Sequence, residues 1–227
     1  MTSYPVNLDL LRAMHCFTSA DKSRPALGNV LVAFDPDQGE TSRVMFAATN
    51  SYVLAVGTGH ATDQTYIPAA IVAEFGILAA RATALVPRDT LDMVHKLTPK
   101  PAGARQGFEQ TVRLEVEQDG RGEWIARMSA GGWVGEWSES MAYPNVSALL
   151  TGEPEAVQDV THQPEVLSAL LKAVKALDAP GVTLHGGAEG VNAGIAGRQF
   201  WSIRSGDVGL VGVAMPIRGA GKWLGES

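Results

Sequence analysis

A repeat constrains this chain more than any single motif. Three times a short strand leads into an amphipathic helix, and several strands follow. In the first unit the helix spans Leu8 to about Ala20, with Asn7 placed to cap it. Leu10, Leu11, Met14 and Phe17 recur at helical spacing, and Arg12 and Ser19 fall on the other side. Strands follow at Val30–Phe34, Val44–Ala48 and Tyr52–Val56, the first two parted by the turn Asp35-Pro36-Asp37-Gln38-Gly39. The second unit opens on Ala84-Leu85-Val86. Asp89 is placed to cap a helix from Thr90 to Leu97, with Leu91, Val94 and Leu97 inward and Asp92, His95 and Lys96 on the surface. Strands at Val112–Val116, Trp124–Met128 and Trp133–Trp137 follow, and the first two alternate as in a sheet with one wet face. The third helix begins at Pro164 and carries the stripe Val166, Leu167, Leu170, Leu171, Val174 and Leu177, with Lys172 and Lys175 opposite. Strands at Val182–His185, Val191–Ala196, Phe200–Ile203 and Gly209–Arg218 complete it. Ile67–Arg81 reads as a helix inserted between the first two units, and Thr98–Ala104 and Thr151–Glu155 read as linkers. The sum is an α+β fold.

With 227 residues the chain can bury a core without covalent staples. Its single cysteine, Cys16, allows no internal disulfide and no cysteine-based metal site, and it sits among apolar neighbours as a small hydrophobe. No basic stretch followed by an apolar run opens the sequence, and the longest apolar stretch is broken by Glu74. The expectation is a cytoplasmic protein without membrane contact. A net charge of -6 argues against wholesale coating by nucleic acid but permits a local basic face.

Catalytic patterns are weak. Ser19-Ala20-Asp21-Lys22 has the spacing of some acyl enzymes without a companion motif. Gly131-Gly132 and Gly186-Gly187 lack the Lys-Ser/Thr of a phosphate-binding loop and read as hairpin turns. His15, His60, His95, His162 and His185 are scattered, with no paired spacing for zinc. Asn145-Val146-Ser147 fits a glycosylation sequon that has no use without secretion. A binding protein is expected rather than an enzyme, with neither cofactor nor metal.

Several segments carry a resemblance. They are Ser23-Arg24-Pro25-Ala26-Leu27-Gly28-Asn29-Val30-Leu31, Ala48-Thr49-Asn50-Ser51-Tyr52-Val53-Leu54-Ala55-Val56, Val86-Pro87-Arg88, Tyr143-Pro144-Asn145, and Val213 to Arg218 with its Met-Pro-Ile-Arg end. In order and spacing they resemble the bacterial beta sliding clamp, the processivity ring of a DNA polymerase. The resemblance implies a DNA-clamp-like fold of β-α-β-β-β units, with helices on one face of antiparallel sheets. It implies a peptide groove lined by Leu27, Thr49, Ser51, Tyr52, Val53, Leu54, Pro144, Leu149, Val213, Met215, Pro216, Ile217 and Arg218. Apolar walls and an adaptable Met215 suit hydrophobic peptide anchors in any case. Arg24 matches a family position that touches DNA. Arg12, Lys22, Arg88, Lys96, Lys100, Lys172 and Lys175 are candidates from helix and loop placement, for salt-sensitive, sequence-independent phosphate contacts.

The implied partners are double-stranded DNA, polymerase and clamp-loader peptides, and further copies of this chain. Residues 1–150 would form one clamp-like domain of two units, and residues 151–227 half of another. Family rings hold twelve units, so three per chain would close with four chains. The family's Asp-Gly-His-Arg is Asn50-Ser51-Tyr52-Val53 here, which would alter partner choice. Two functions stay open: a clamp that encircles DNA and tethers a polymerase, and a non-encircling adaptor or decoy that captures clamp-binding peptides through the same groove.

Overall fold

The computed structural model describes residues 2–37, 43–59, 68–98, 111–122, 124–130, 132–137, 142–150, 162–185, 194–195 and 198–215. The first unit is β1 (Thr2–Asn7), α1 (Leu8–His15), β2 (Val30–Phe34), β3 (Met45–Thr49) and β4 (Val53–Thr58), with a short 3-10 turn at Pro25–Gly28 before β2. After α2 (Pro68–Ala79) comes the second: β5 (Ala82–Val86), α3 (Arg88–Leu97), β6 (Thr111–Gln118), β7 (Trp124–Ala130) and β8 (Trp133–Trp137). After α4 (Val146–Leu150) comes the third: α5 (Pro164–Leu177), β9 (Val182–His185), β10 (Gly194–Ile195), β11 (Arg198–Ser205) and β12 (Val208–Ala214).

The units exchange their opening strands. β1 pairs with β6 in a four-stranded antiparallel sheet, β1-β6-β7-β8, while β5 pairs with β2. α1 therefore leads from the small sheet into the large one, and α3 leads back. β1 is an edge strand, which is why Pro5, with no N–H for a ladder, fits there. The large sheet has eight strands in the order β10-β11-β12-β4-β3-β2-β5, and β9 shares the outer edge of β11. Its continuity depends on the antiparallel pairing of β12 with β4, which joins the third unit to the first.

Both faces of the large sheet are covered. Val30, Val32, Phe46 and Val53 face the core shared with α1, α3 and α5, while Leu31, Met45, Leu54 and Val213 face the core beneath α2 and α4. Burial on both sides makes β2, β3, β4 and β12 apolar runs rather than alternating strands. The small sheet alternates: Val112, Leu114 and Val116 point inward, and Arg127 bridges Glu117 and Glu136 on the wet face.

Three local expectations need correction. α1 stops at His15 rather than near Ala20, because residues 16–18 tighten into turns and the Ser19 N–H donates to the Leu27 carbonyl. Asp89 lies in the first turn of α3, where the helix dipole favours it, but Pro87 is the cap residue. Leu97, Leu167 and Leu171 stay exposed. On α5 the buried arc runs through Val166, Ala169, Leu170, Ala173 and Leu177, so Leu167 and Leu171 fall past its edge. The Asn7 cap holds: its side-chain oxygen accepts from the Asp9 and Leu10 N–H groups.

Candidate functional site

The turn between β3 and β4 organises the site. Asn50 Oδ1 accepts from the N–H groups of Tyr52 and Val53, and Thr49 Oγ1 accepts from Ser51 N–H. This places Ser51 at φ 79°, the left-handed region that side chains avoid. The Met215 N–H then donates to the Tyr52 carbonyl at 2.8 Å, fixing the end of β12 beside the turn. Across from them Tyr143 packs inward, its hydroxyl 3.4 Å from the Asn29 carbonyl and 3.5 Å from that of Ala47. Burial pushes its phenol pKa up. Asn145 Oδ1 accepts from Ala148 N–H at the start of α4, which orients Pro144 and Leu149.

Between these pieces lies a cleft of about 210 Å³, lined by Leu27, Thr49, Ser51, Tyr52, Val53, Leu54, Pro144, Leu149, Val213 and Met215. Four separate stretches of sequence meet there. Leu27, Val53, Leu54 and Val213 form a buried floor, and Tyr52 and Met215 stand exposed at the mouth. None of the ten carries a charge; Thr49, Ser51 and Tyr52 supply hydroxyls. Such a site holds apolar groups by burial and orients them with a few hydrogen bonds. Pro216, Ile217 and Arg218 lie outside the described residues.

Two residues not expected at the cleft adjoin it. His162 Nε2 lies 2.6 Å from Gln199 Oε1, and its Nδ1 lies 3.4 Å from the Met215 carbonyl. Arg24 Nη1 donates to Ser51 Oγ at 2.9 Å, so a residue expected at DNA also contacts the cleft lining. Only tertiary contact reveals either role.

The other cationic candidates scatter. Arg12 binds the Asp9 carboxylate at 2.7 Å and donates to the Thr98 carbonyl. Lys22, Lys96, Lys172 and Lys175 are exposed, and Lys100 lies outside the described residues. Arg88 donates to Thr18 Oγ1 and shares with Lys172 an open hollow of about 720 Å³ between the end of α1 and the start of α5. Cys16 lines that hollow, its thiol pushed up to about 11 by burial.

At the same end of α1, His15 meets Asp92 and His95 of α3. The His15 and His95 rings lie 5.3 Å apart. His95, expected on the surface, has its Nε2 shielded from solvent. Burial, then the neighbouring His15 and Arg12, hold its pKa down to about 4. Burial lowers His15 as well, with Asp92 opposing and Arg88 assisting.

Comparison with solved structures gives the class of this fold. The beta subunit of DNA polymerase III from Thermotoga maritima superposes with a TM-score of 0.53 at 12% identity, over 99% of this chain and 68% of its own. The Bartonella birtlesii sliding clamp, solved bound to griselimycin, gives 0.48 at 13% identity, over 96% of this chain and 66% of its own. The Caulobacter crescentus beta sliding clamp gives 0.44 at 16% identity, over 94% of this chain and 50% of its own. The chain thus spans between half and about two thirds of the length of these clamps. No family model matches it, and no curated protein does. The fold is that of the bacterial beta sliding clamps, on the superposition with the Thermotoga protein.

Among the described residues, no helix is long and apolar enough to cross a membrane.

Proposed function

We propose that this protein is a clamp-like binding subunit that captures hydrophobic peptide segments, those of a DNA polymerase or its clamp loader, in the cleft between the β3–β4 turn, α4 and the end of β12. The observation that carries this reading is the convergence of ten uncharged residues from four stretches of sequence on one cleft. Its volume of about 210 Å³ is below the ~300–1,000 Å³ of sites for drug-sized ligands, and suits one or two anchoring side chains of a longer peptide. Pro216, Ile217 and Arg218 extend the groove in this reading. DNA would be held by Arg24, Arg88, Lys172 and neighbouring lysines through phosphate contacts, in a closed ring with further copies of the chain.

The test is fluorescence anisotropy with a labelled hydrophobic clamp-binding peptide. Met215→Asp puts an unpaired charge at the cleft mouth without touching the core, and should weaken binding at least ~10-fold with an unchanged circular dichroism spectrum. Unaltered affinity in that variant, or no binding by the parent protein at about 100 μM, would overturn the reading.

A non-encircling adaptor or decoy with the same cleft is the second reading. The engagement of Arg12 by Asp9 and the net charge of -6 favour it, since both reduce the cationic surface open to phosphates. Light scattering separates the two: an encircling clamp forms a closed oligomer, and an adaptor stays a monomer or dimer.

A further inference from the structure

We propose that His15, His95 and Asp92 form a site for a divalent transition metal, of which zinc is the type, clipping the end of α1 to α3. Asp92 and His95 sit three residues apart, so they share one face of α3, and that face packs against the last residue of α1. A nitrogen from each ring and an Asp92 carboxylate oxygen lie within 4.8 Å of one another. A tetrahedral zinc ion with bonds of about 2.0–2.1 Å keeps its ligand atoms about 3.4 Å apart. His15 Nε2 and Asp92 Oδ1 already stand at 3.4 Å, so closing the set is left to movement of the His95 ring.

A second, independent observation points to a ligand. Nε2 of His15 and Nε2 of His95 are both shielded from water without a hydrogen-bond partner. The contact of His15 with Asp92 is close but not aligned for a hydrogen bond. Two orphaned imidazole nitrogens on neighbouring rings are costly unless a ligand satisfies them. A metal ion binds the neutral form of both rings and satisfies both at once. Arg12 and Arg88 are the nearby cations that would oppose it. Arg12 is neutralised by Asp9, and Arg88 is turned toward Thr18. Asp92, half exposed, leaves a solvent side where water would complete the coordination. Two histidines and one carboxylate, with water in the fourth position, are a donor set that zinc accepts, and the clip would join helices of two different units.

Zinc chloride titrated into the full chain, followed by calorimetry and thermal unfolding, tests this. One site is expected, with Tm raised by about 5–10 °C at a metal concentration 100-fold above Kd. His95→Gln and Asp92→Asn should each weaken binding at least ~10-fold, since loss of even a supporting partner costs that much. Asp92 is exposed enough that its variant folds whatever becomes of His95→Gln. Cobalt should give visible d–d absorption in the parent protein that both variants lose, while His162→Gln keeps it. Absence of binding up to about 1 mM zinc, or binding untouched by both variants, overturns the proposal.

Discussion

Gly212→Ala tests the joint on which the large sheet depends. Gly212 lies opposite Ala55 of β4 on one side and opposite Trp201 of β11 on the other. A Cβ placed there would stand 1.9 Å from the Leu54 carbonyl oxygen and 2.5 Å from the Trp201 ring. Ordinary contact begins at 3.4 Å, so the strands would have to part by about 1.5 Å. Neither neighbour can yield: one is backbone, and the other is a fully buried indole stacked on Phe17 at 5.2 Å. Overpacking in cores costs about 1–3 kcal/mol, and a backbone obstruction belongs at or above the top of that range. About 3 kcal/mol is a large share of the ~5–15 kcal/mol that holds a domain folded, and corresponds to a Tm loss of roughly 6–12 °C. Urea unfolding measures the stability. Hydrogen exchange should show the β4 and β12 amides losing protection first, and peptide affinity should fall because Val213 lies on β12 and Met215 directly follows it. A loss below about 1 kcal/mol with intact protection in β12 would refute the steric argument.

Ser51→Gly should stabilise the protein by about 0.5–1 kcal/mol, because glycine takes the left-handed conformation without strain while only the exposed Arg24 contact is lost; a drop in urea midpoint would show that this contact outweighs the strain. Tyr4, buried and donating to the Asp35 carbonyl, has its pKa pushed up to about 12 by burial and then by the Asp35 charge. The unfolded tyrosine ionises near 10, so its stabilising contribution is whole below pH 10 and lost as pH rises from about 10 to 12. Thermal scans across that window should show the loss, reduced in Tyr4→Phe, and an identical alkaline profile in the variant would count against it.

The first two units were legible because each helix carries its own apolar period and each strand its own run, and such signals are local. The Asn7 cap and the bounds of β2, β8 and β9 are cases in point. The strand expected to open the third unit is not among the described residues. The cleft residues were nominated only through the resemblance, and Leu149 lies outside the short segments that carry it. Nothing in the local pattern of Leu27 or Leu149 distinguishes a cleft wall from ordinary core. Leu167 and Leu171 mark the opposite failure. Apolar spacing nominates them for burial, and exposure follows from which neighbours α5 finds.

By itself the sequence determined most of the helices and strands within the units, because helix and strand periods are properties of neighbouring residues. The tertiary structure alone decided the exchange of β1 and β5 between sheets and the union of β12 with β4. It also decided the meeting of His15 with His95, eighty residues apart in the chain. Each of these depends on contacts between distant segments whose partners no local pattern names. A strand's edge looks the same whatever strand it will join, and an imidazole carries no mark of the helix it will face.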